Sequence, residues 1–235
     1  MGEFHIDGES LRPEDVLAIA HGQHTVSLSE SSREAMVGSR SAIEQVLDSD
    51  DVVYGINTGF GALSSVRIEL GQLEDLQVNL IRSHACGVGE RMEPEHVLMM
   101  MIIRANSLAK GFSGARPEVV DLLLSMVNAR IAPVVPRIGS LGASGDLAPL
   151  SHMALSLIGE GECTICDEDS QIVMQSSDAL SGAGLSPIKL QAKEGLSLIN
   201  GTSQMCAYLA IALTDLENLL LAADCAVACS LVRIV

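Results

Sequence analysis

The chain has 235 residues, 48% of them hydrophobic but only 2% aromatic and none of them Trp, so its core is expected to be Leu, Ile, Val, Ala and Met packed between helices rather than an aromatic-rich sandwich. Thirty acidic side chains against 14 basic ones give a net charge of −16, and with no basic stripe the composition argues against nucleic acid or an anionic membrane as partner. Six cysteines without a secreted-domain spacing, and no signal peptide at the start, point to reduced thiols in a cytoplasm.

Residues 1–10 read as a short leading arm. Pro13-Glu14-Asp15 opens a helix to about His21, with acidic residues in its first turn. A second helix spans Ser29 to Leu47, followed by a short extended Val52-Val53-Tyr54 and a loop, Gly55 to Gly61, with three glycines and one Asn. Leu70, Leu73, Leu76, Leu80 and Ile81 form a helical stripe that ends at Ser83-His84, where Cys86-Gly87-Val88-Gly89 stops it. Pro94 and Pro117 each start a further helix, the first with the core run Met99-Met100-Met101. Pro133 and Pro136 impose extended backbone, and a helix follows from Asp146 to about Ile158.

Glu160 to Ser176 alternates polar and apolar residues about Asp167-Glu168-Asp169, the pattern of a β-hairpin. Cys163 and Cys166 form a CxxC, but no second pair or His partner completes a zinc set, so no metal is expected. Asp178 to Pro187 reads as a glycine- and serine-rich connection. From about Thr202 the chain is one long helix, on which Cys225 and Cys229 read as small core residues. Asp215, Glu217 and Asp224 argue against a membrane span. The helix is apolar on more than one face and meets no stop signal before Val235. It is therefore expected to be cut in mid-course and buried by another subunit or by a missing C-terminal half.

Ala143-Ser144-Gly145 carries the chemistry. Gly145 lacks a Cβ, so its amide nitrogen can approach the carbonyl carbon of Ala143; loss of the Ser144 hydroxyl would then leave an imidazolone ring with an exocyclic methylene. That ring is an electrophile which side chains lack and enzymes normally take from a cofactor. The plainer reading of the same residues is a turn into a helix, with Asp146 as N-cap and Pro149 in the first turn.

The extended string Gly142-Ala143-Ser144-Gly145-Asp146-Leu147-Ala148-Pro149-Leu150 closely resembles the signature of the aromatic amino acid lyases. Three more blocks resemble that family in the same order: Tyr54 to Gly61, Asn79 to His84, and Lys193 through Thr202. The resemblance implies a mainly α fold, with an N-terminal domain (1–200) that bears the electrophile and a small β-hairpin, followed by the start of a long central-bundle helix (201–235). It implies a methylidene-imidazolone (MIO) formed autocatalytically from Ala143-Ser144-Gly145, with no external cofactor, and elimination of ammonia from an aromatic amino acid.

By resemblance Tyr54 is the base that removes the β-proton, against a plain role as a core Tyr. Asn200 contacts the MIO carbonyl or the substrate, or else caps the helix that follows. Asp146 caps its own helix and assists proton removal during ring formation. His84 and Gly61 lie on the substrate side. Ser83-His84 resembles the histidine-specific members, implying L-histidine as substrate, with phenylalanine or tyrosine lyases and aminomutases left open. Full members are about twice this length and form tetramers through their long helices. The chain is therefore expected to be an N-terminal fragment that self-associates through its C-terminal helix and lacks later substrate-binding residues. An inert self-associating module is the competing reading.

Overall fold

The computed structural model describes residues 2–49, 51–61, 64, 66–141, 145–166 and 170–232. The order of elements is β1 (Gly2–Ile6), α1 (Pro13–Ala20), β2 (His24–Leu28), α2 (Glu30–Leu47), α3 (Leu73–His84), β3 (Val88–Arg91), α4 (Pro94–Ala109), α5 (Pro117–Asn128), β4 (Ile131–Pro133), β5 (Pro136–Ile138), α6 (Leu147–Leu157), β6 (Glu162–Cys166), β7 (Gln171–Gln175), α7 (Ser176–Gly182), α8 (Glu194–Ile199) and α9 (Ser203–Val232). The fold is mainly helical, with small sheets at its margins.

Helices α1, α4 and α5 each carry Pro at the first helical position, where its fixed φ is favourable and its missing N–H costs nothing. The core centres on α4. Val97 through Ile102 are at most 2% exposed, so the Met run is core, as expected. Around α4 pack α1, α2, α5 and the first part of α9.

The structure corrects several expectations. The leading arm is strand β1, paired in parallel with β2 through the crossover helix α1, because Ile6 and Val26 bury against the core. Val52-Val53-Tyr54 is not a strand and runs into a turn at Tyr54. The connection 178–187 begins inside helix α7, where Ala179 and Leu180 supply a buried face to an otherwise glycine- and serine-rich segment. The hairpin is present as β6–β7, and β4 adds a third strand to it; its turn, 167–169, lies outside the described residues.

Helix α9 is buried only at Ser203, Gln204, Ala207 and Ala210, all in its first eight positions. Beyond them Leu213, Leu216, Leu220 and Val227 are exposed, Leu219 and Leu221 are about two-thirds exposed (66% and 65%), and Cys225 and Cys229 are exposed rather than core. Leu213 still faces Leu11, Pro13 and Val16 across a shared pocket, but from Asp215 to Val232 every residue of the helix is exposed. By length and composition the helical stretch 194–232 is long and apolar enough to cross a membrane, its acidic residues notwithstanding.

The joint between α5 and α8 is a buried ion pair. The Glu194 carboxylate, fully buried, accepts from Arg116 Nε (2.8 Å) and Nη2 (2.9 Å) and from the backbone N–H groups of Arg116 (3.1 Å) and Gln191 (2.8 Å). Removing one partner of such a pair strands the other charge. Arg116→Met is expected to lower unfolding stability by about 2–4 kcal/mol, read as a shift in the urea midpoint. Glu194→Gln, which keeps acceptor oxygen, is expected to cost less than Arg116→Met.

Candidate active site

The described end of the triad is a tight backbone contact. Gly145 has φ +97°, and a Cβ there would overlap the carbonyl oxygen of Gly201, so neither the conformation nor the space admits another residue. The next amide, Asp146 N–H, donates to that same carbonyl at 2.6 Å. Ala143 and Ser144 lie outside the described residues.

Asp146 is fully buried, and its carboxylate does not cap its own helix as expected. Oδ2 accepts from the backbone N–H groups of Gln204 (2.7 Å) and Met205 (3.0 Å), and Oδ1 from Ser140 Oγ (2.6 Å). Asp146 thus caps α9 from across the fold, satisfying donors that a helix N-terminus leaves free. The starts of α6 and α9 converge at this point, and both present their positive ends to it.

Asn200 is the C-cap of α8, with φ −90° and ψ 96°, and is exposed. It does not cap α9, which begins at Ser203 under the Asp146 carboxylate. Its amide is therefore not committed to the helix.

The loop 55–61 reaches the same place through α8. Gly55, at φ +75°, packs so closely on Leu196 that a Cβ would come within 2.9 Å of Leu196 Cδ2. Asn57 braces the loop from inside: its Oδ1 accepts from Val53 N–H (2.8 Å) and its Nδ2 donates to Asp51 O (2.7 Å). Thr58 Oγ1 accepts from Gly55 N–H (3.2 Å). Tyr54 is consequently not a core residue. It is 57% exposed, edge-on to Phe60 with ring centroids 6.2 Å apart. Gly61, at φ +57°, is exposed at the end of the loop.

His84 is the last residue of α3. Its Nδ1 lies 2.9 Å from both Leu80 O and Ser83 Oγ. A carbonyl only accepts, so the bond to Leu80 puts the proton on Nδ1 and leaves Nε2 as a free acceptor. The turn after His84 is held by His152 of α6, whose Nε2 accepts from Gly87 N–H at 3.1 Å. Burial pushes the His152 pKa down and favours that neutral acceptor. Gln77 Oε1, fully buried, accepts from Gly195 N–H (3.0 Å) and ties α3 to α8.

The fold thus draws Gly145, Asp146 and Gly201 into contact and brings the segments of Tyr54, His84 and Asn200 onto one group of elements: α3, α6, α8 and the start of α9. No hydrogen bond joins the side chains of Tyr54, His84 and Asn200 among the described residues, and two of the three are exposed. The bracing residues Asn57, Gln77 and His152 were not singled out in the sequence. Asn57 was visible as the one Asn among the loop's glycines; Gln77 and His152 carry no sequence signal of their roles. A cavity of about 450 Å³ elsewhere, lined by His21, His24, Glu95, Arg130 and Cys166, includes none of the predicted site residues. Cys163 and Cys166 are buried, and burial pushes both thiols up, Cys166 to about 11. No group of three or more His, Cys, Asp or Glu among the described residues is placed to hold a metal ion.

Residues 11–234 match the model of the aromatic amino acid lyase family. The chain is 49% identical over 221 residues to a probable histidine ammonia-lyase of Halobacterium salinarum, covering 94% of this chain and 41% of that protein. It superimposes with a TM-score of 0.82 on the crystal structure of histidine ammonia-lyase from Trypanosoma cruzi, at 39% identity over 90% of this chain and 40% of that one. The ergothioneine-degrading enzyme ergothionase of Treponema denticola gives a TM-score of 0.86 at 30% identity, covering 92% and 43%. The chain belongs to the aromatic amino acid lyase family and spans about two-fifths of the length of the relatives it matches.

Asp146→Ala, which uncaps α9, is expected to lower stability by about 2 kcal/mol, whereas Asp146→Asn keeps an acceptor oxygen and is expected to lose less than half of that in the same denaturation experiment. His152 has a pKa below its ordinary 6.5, so the unfolded chain takes up the proton first as pH falls. The stability its acceptor contributes is present above about pH 6.5 and is lost as pH falls below it. His152→Gln, an acceptor that does not titrate, is expected to flatten the fall of the melting temperature between neutral and mildly acidic pH.

Proposed function

We propose that this chain is the electrophile-bearing N-terminal part of a histidine ammonia-lyase, whose full-length form converts L-histidine to urocanate and ammonia. The contact of Gly145 and Asp146 with Gly201 carries the reading. Position 145 takes only glycine, and glycine is what leaves an amide nitrogen unhindered for attack on the carbonyl of Ala143. The residues therefore fit a methylidene-imidazolone built from Ala143, Ser144 and Gly145. Once formed, this group supplies the electrophile that draws electrons from the substrate amine or ring.

The other roles fall to the chain's own side chains. Tyr54, lifted out of the core by its braced loop, takes the β-proton through its phenol oxygen. His84 offers Nε2 as an acceptor to the N–H of a substrate imidazole, with Gly61 on the same side. Asn200 presents an amide, free of capping duty, to the substrate or to the ring carbonyl. Asp146 holds the two helix starts together and stands beside the Gly145 nitrogen that must lose its proton.

Tyr54, Gly61 and Asn200 are solvent-exposed, and the chain spans 41% of a relative at 49% identity, which favours a site completed by residues outside this chain. The bare apolar face of α9 is assigned to packing in a homo-oligomer in the cytoplasm, in preference to a membrane. The same bare helix favours, as a second reading, an isolated chain that self-associates without turnover.

In the full-length protein, intact mass is expected to show loss of two waters localised to residues 143–145, and urocanate absorbance to rise with histidine. Tyr54→Phe is expected to lower kcat about 100- to 1000-fold. His84→Leu is expected to raise KM for histidine and shift preference to a ring without hydrogen-bonding groups; unchanged histidine turnover in that variant would overturn the substrate assignment. Full histidine turnover by residues 1–235 alone would overturn the view that the site is completed elsewhere.

A further inference from the structure

Arg104 lies mid-helix on α4 and is 4% exposed. Its Nη2 donates to the carbonyl of Ser197 in the last turn of α8, and its Nη1 fills the space that a Cβ on residue 201 would need. Its Nε is buried without a hydrogen-bond partner. Among the described residues no carboxylate pairs with it, and burial alone lowers its pKa, to about 10, so it remains a cation at neutral pH. A buried cation without a counter-ion is costly, and folds seldom keep one without compensation. The half-buried Lys193 at the other end of α8 feels it: its ammonium pKa is pushed down by burial and then by Arg104.

The geometry forms a stack of three layers. The guanidinium lies against one side of the Gly201 backbone, and the Gly201 carbonyl lies against Gly145 and accepts from Asp146 N–H. Gly145 is required, since a Cβ there would overlap the Gly201 backbone, whereas a Cβ on Gly201 would displace the Arg104 guanidinium. From this arrangement we infer that Arg104 is a positioning residue for ring closure at residues 143–145, acting through the Gly201 backbone. The inference rests on the lyase reading above.

Ring closure forms a bond from Gly145 N to the carbonyl carbon of Ala143. The Ala143 oxygen leaves as water with the hydrogens of Gly145 N and Ser144 N. A second water takes the Ser144 hydroxyl and its Cα hydrogen, leaving a carbon–carbon double bond. Negative charge builds on the triad as the Gly145 nitrogen loses its proton and the Ala143 oxygen becomes tetrahedral. A fixed cation behind Gly201, with no carboxylate partner among the described residues, lowers the cost of charge at the Gly145 nitrogen, and its hold on the turn keeps Gly201 pressed on Gly145.

The test uses the longest natural chain that contains these residues, expressed native, as Arg104→Lys and as Arg104→Met. The fraction that has lost two waters is followed by intact mass from the end of a short expression pulse, in soluble folded protein only. Ring formation is expected to slow about 10-fold in Arg104→Lys, which keeps the charge but not the fork of donors, and about 100-fold in Arg104→Met. A purely structural role would lower the melting temperature but leave the rate per folded molecule unchanged, and that result overturns the inference. If Arg104→Met does not fold, Arg104→Lys decides: slowed ring formation supports the proposal and a native rate overturns it. Absence of the double water loss in the native protein itself overturns the triad reading, and with it the role of Arg104, so the two failures are distinguishable.

Discussion

A single buried carboxylate organises this molecule. Asp146 gives up its hydration to accept three hydrogen bonds, two of them from the otherwise unsatisfied first turn of α9 and one from Ser140. A charge buried this completely persists only when its lone pairs are so occupied. Because its side chain reaches α9 while its amide donates to Gly201, the residue sets where α9 begins and how closely Gly201 lies on Gly145. The chemistry proposed for the triad depends on that closeness.

The second organiser is α8, six residues long and too short to be stable alone. Nearly every residue of it is engaged by another element. Glu194 takes Arg116, Gly195 N–H reaches Gln77, Leu196 meets Gly55, Ser197 Oγ donates to Ser113 O and its carbonyl accepts from Arg104. These contacts carry α3, the Tyr54 loop and α4 to the turn at Asn200–Gly201. The site is thus built by backbone connections to a small hub. Of the candidate side chains, Tyr54 and Asn200 are exposed, in a chain that covers about two-fifths of its relatives.

Much of the helical framework was legible because its signals are local. Pro94 and Pro117 start their helices where the rule for the first helical position puts them, and the stripe from Leu73 to Ile81 lies on α3, which ends at His84, whereas Leu70 falls outside that helix and is exposed. The family motifs were legible for a related reason: Gly145 and Gly55 hold positive φ, which L side chains rarely adopt, and at Gly145 a Cβ would also overlap the Gly201 backbone. Less legible were β1 and α7. A strand of alternating character looks like an arm until a parallel partner is found across a crossover helix, and a glycine- and serine-rich segment becomes a helix only when Ala179 and Leu180 find a core.

Sequence alone determined the helical class, the hairpin and the order of the motif blocks, since these follow from spacing, backbone restriction and side-chain type over short windows; the roles proposed for individual residues rest on the resemblance of those blocks to the family. Tertiary structure decided which helix Asp146 caps, that Asn200 does not cap α9 and that Arg104 lies behind Gly201. Each of these depends on a partner distant along the chain, from Asp146 and Gln204 to Arg104 and Ser197. No local pattern encodes such a choice, because packing makes it only once the whole core has closed.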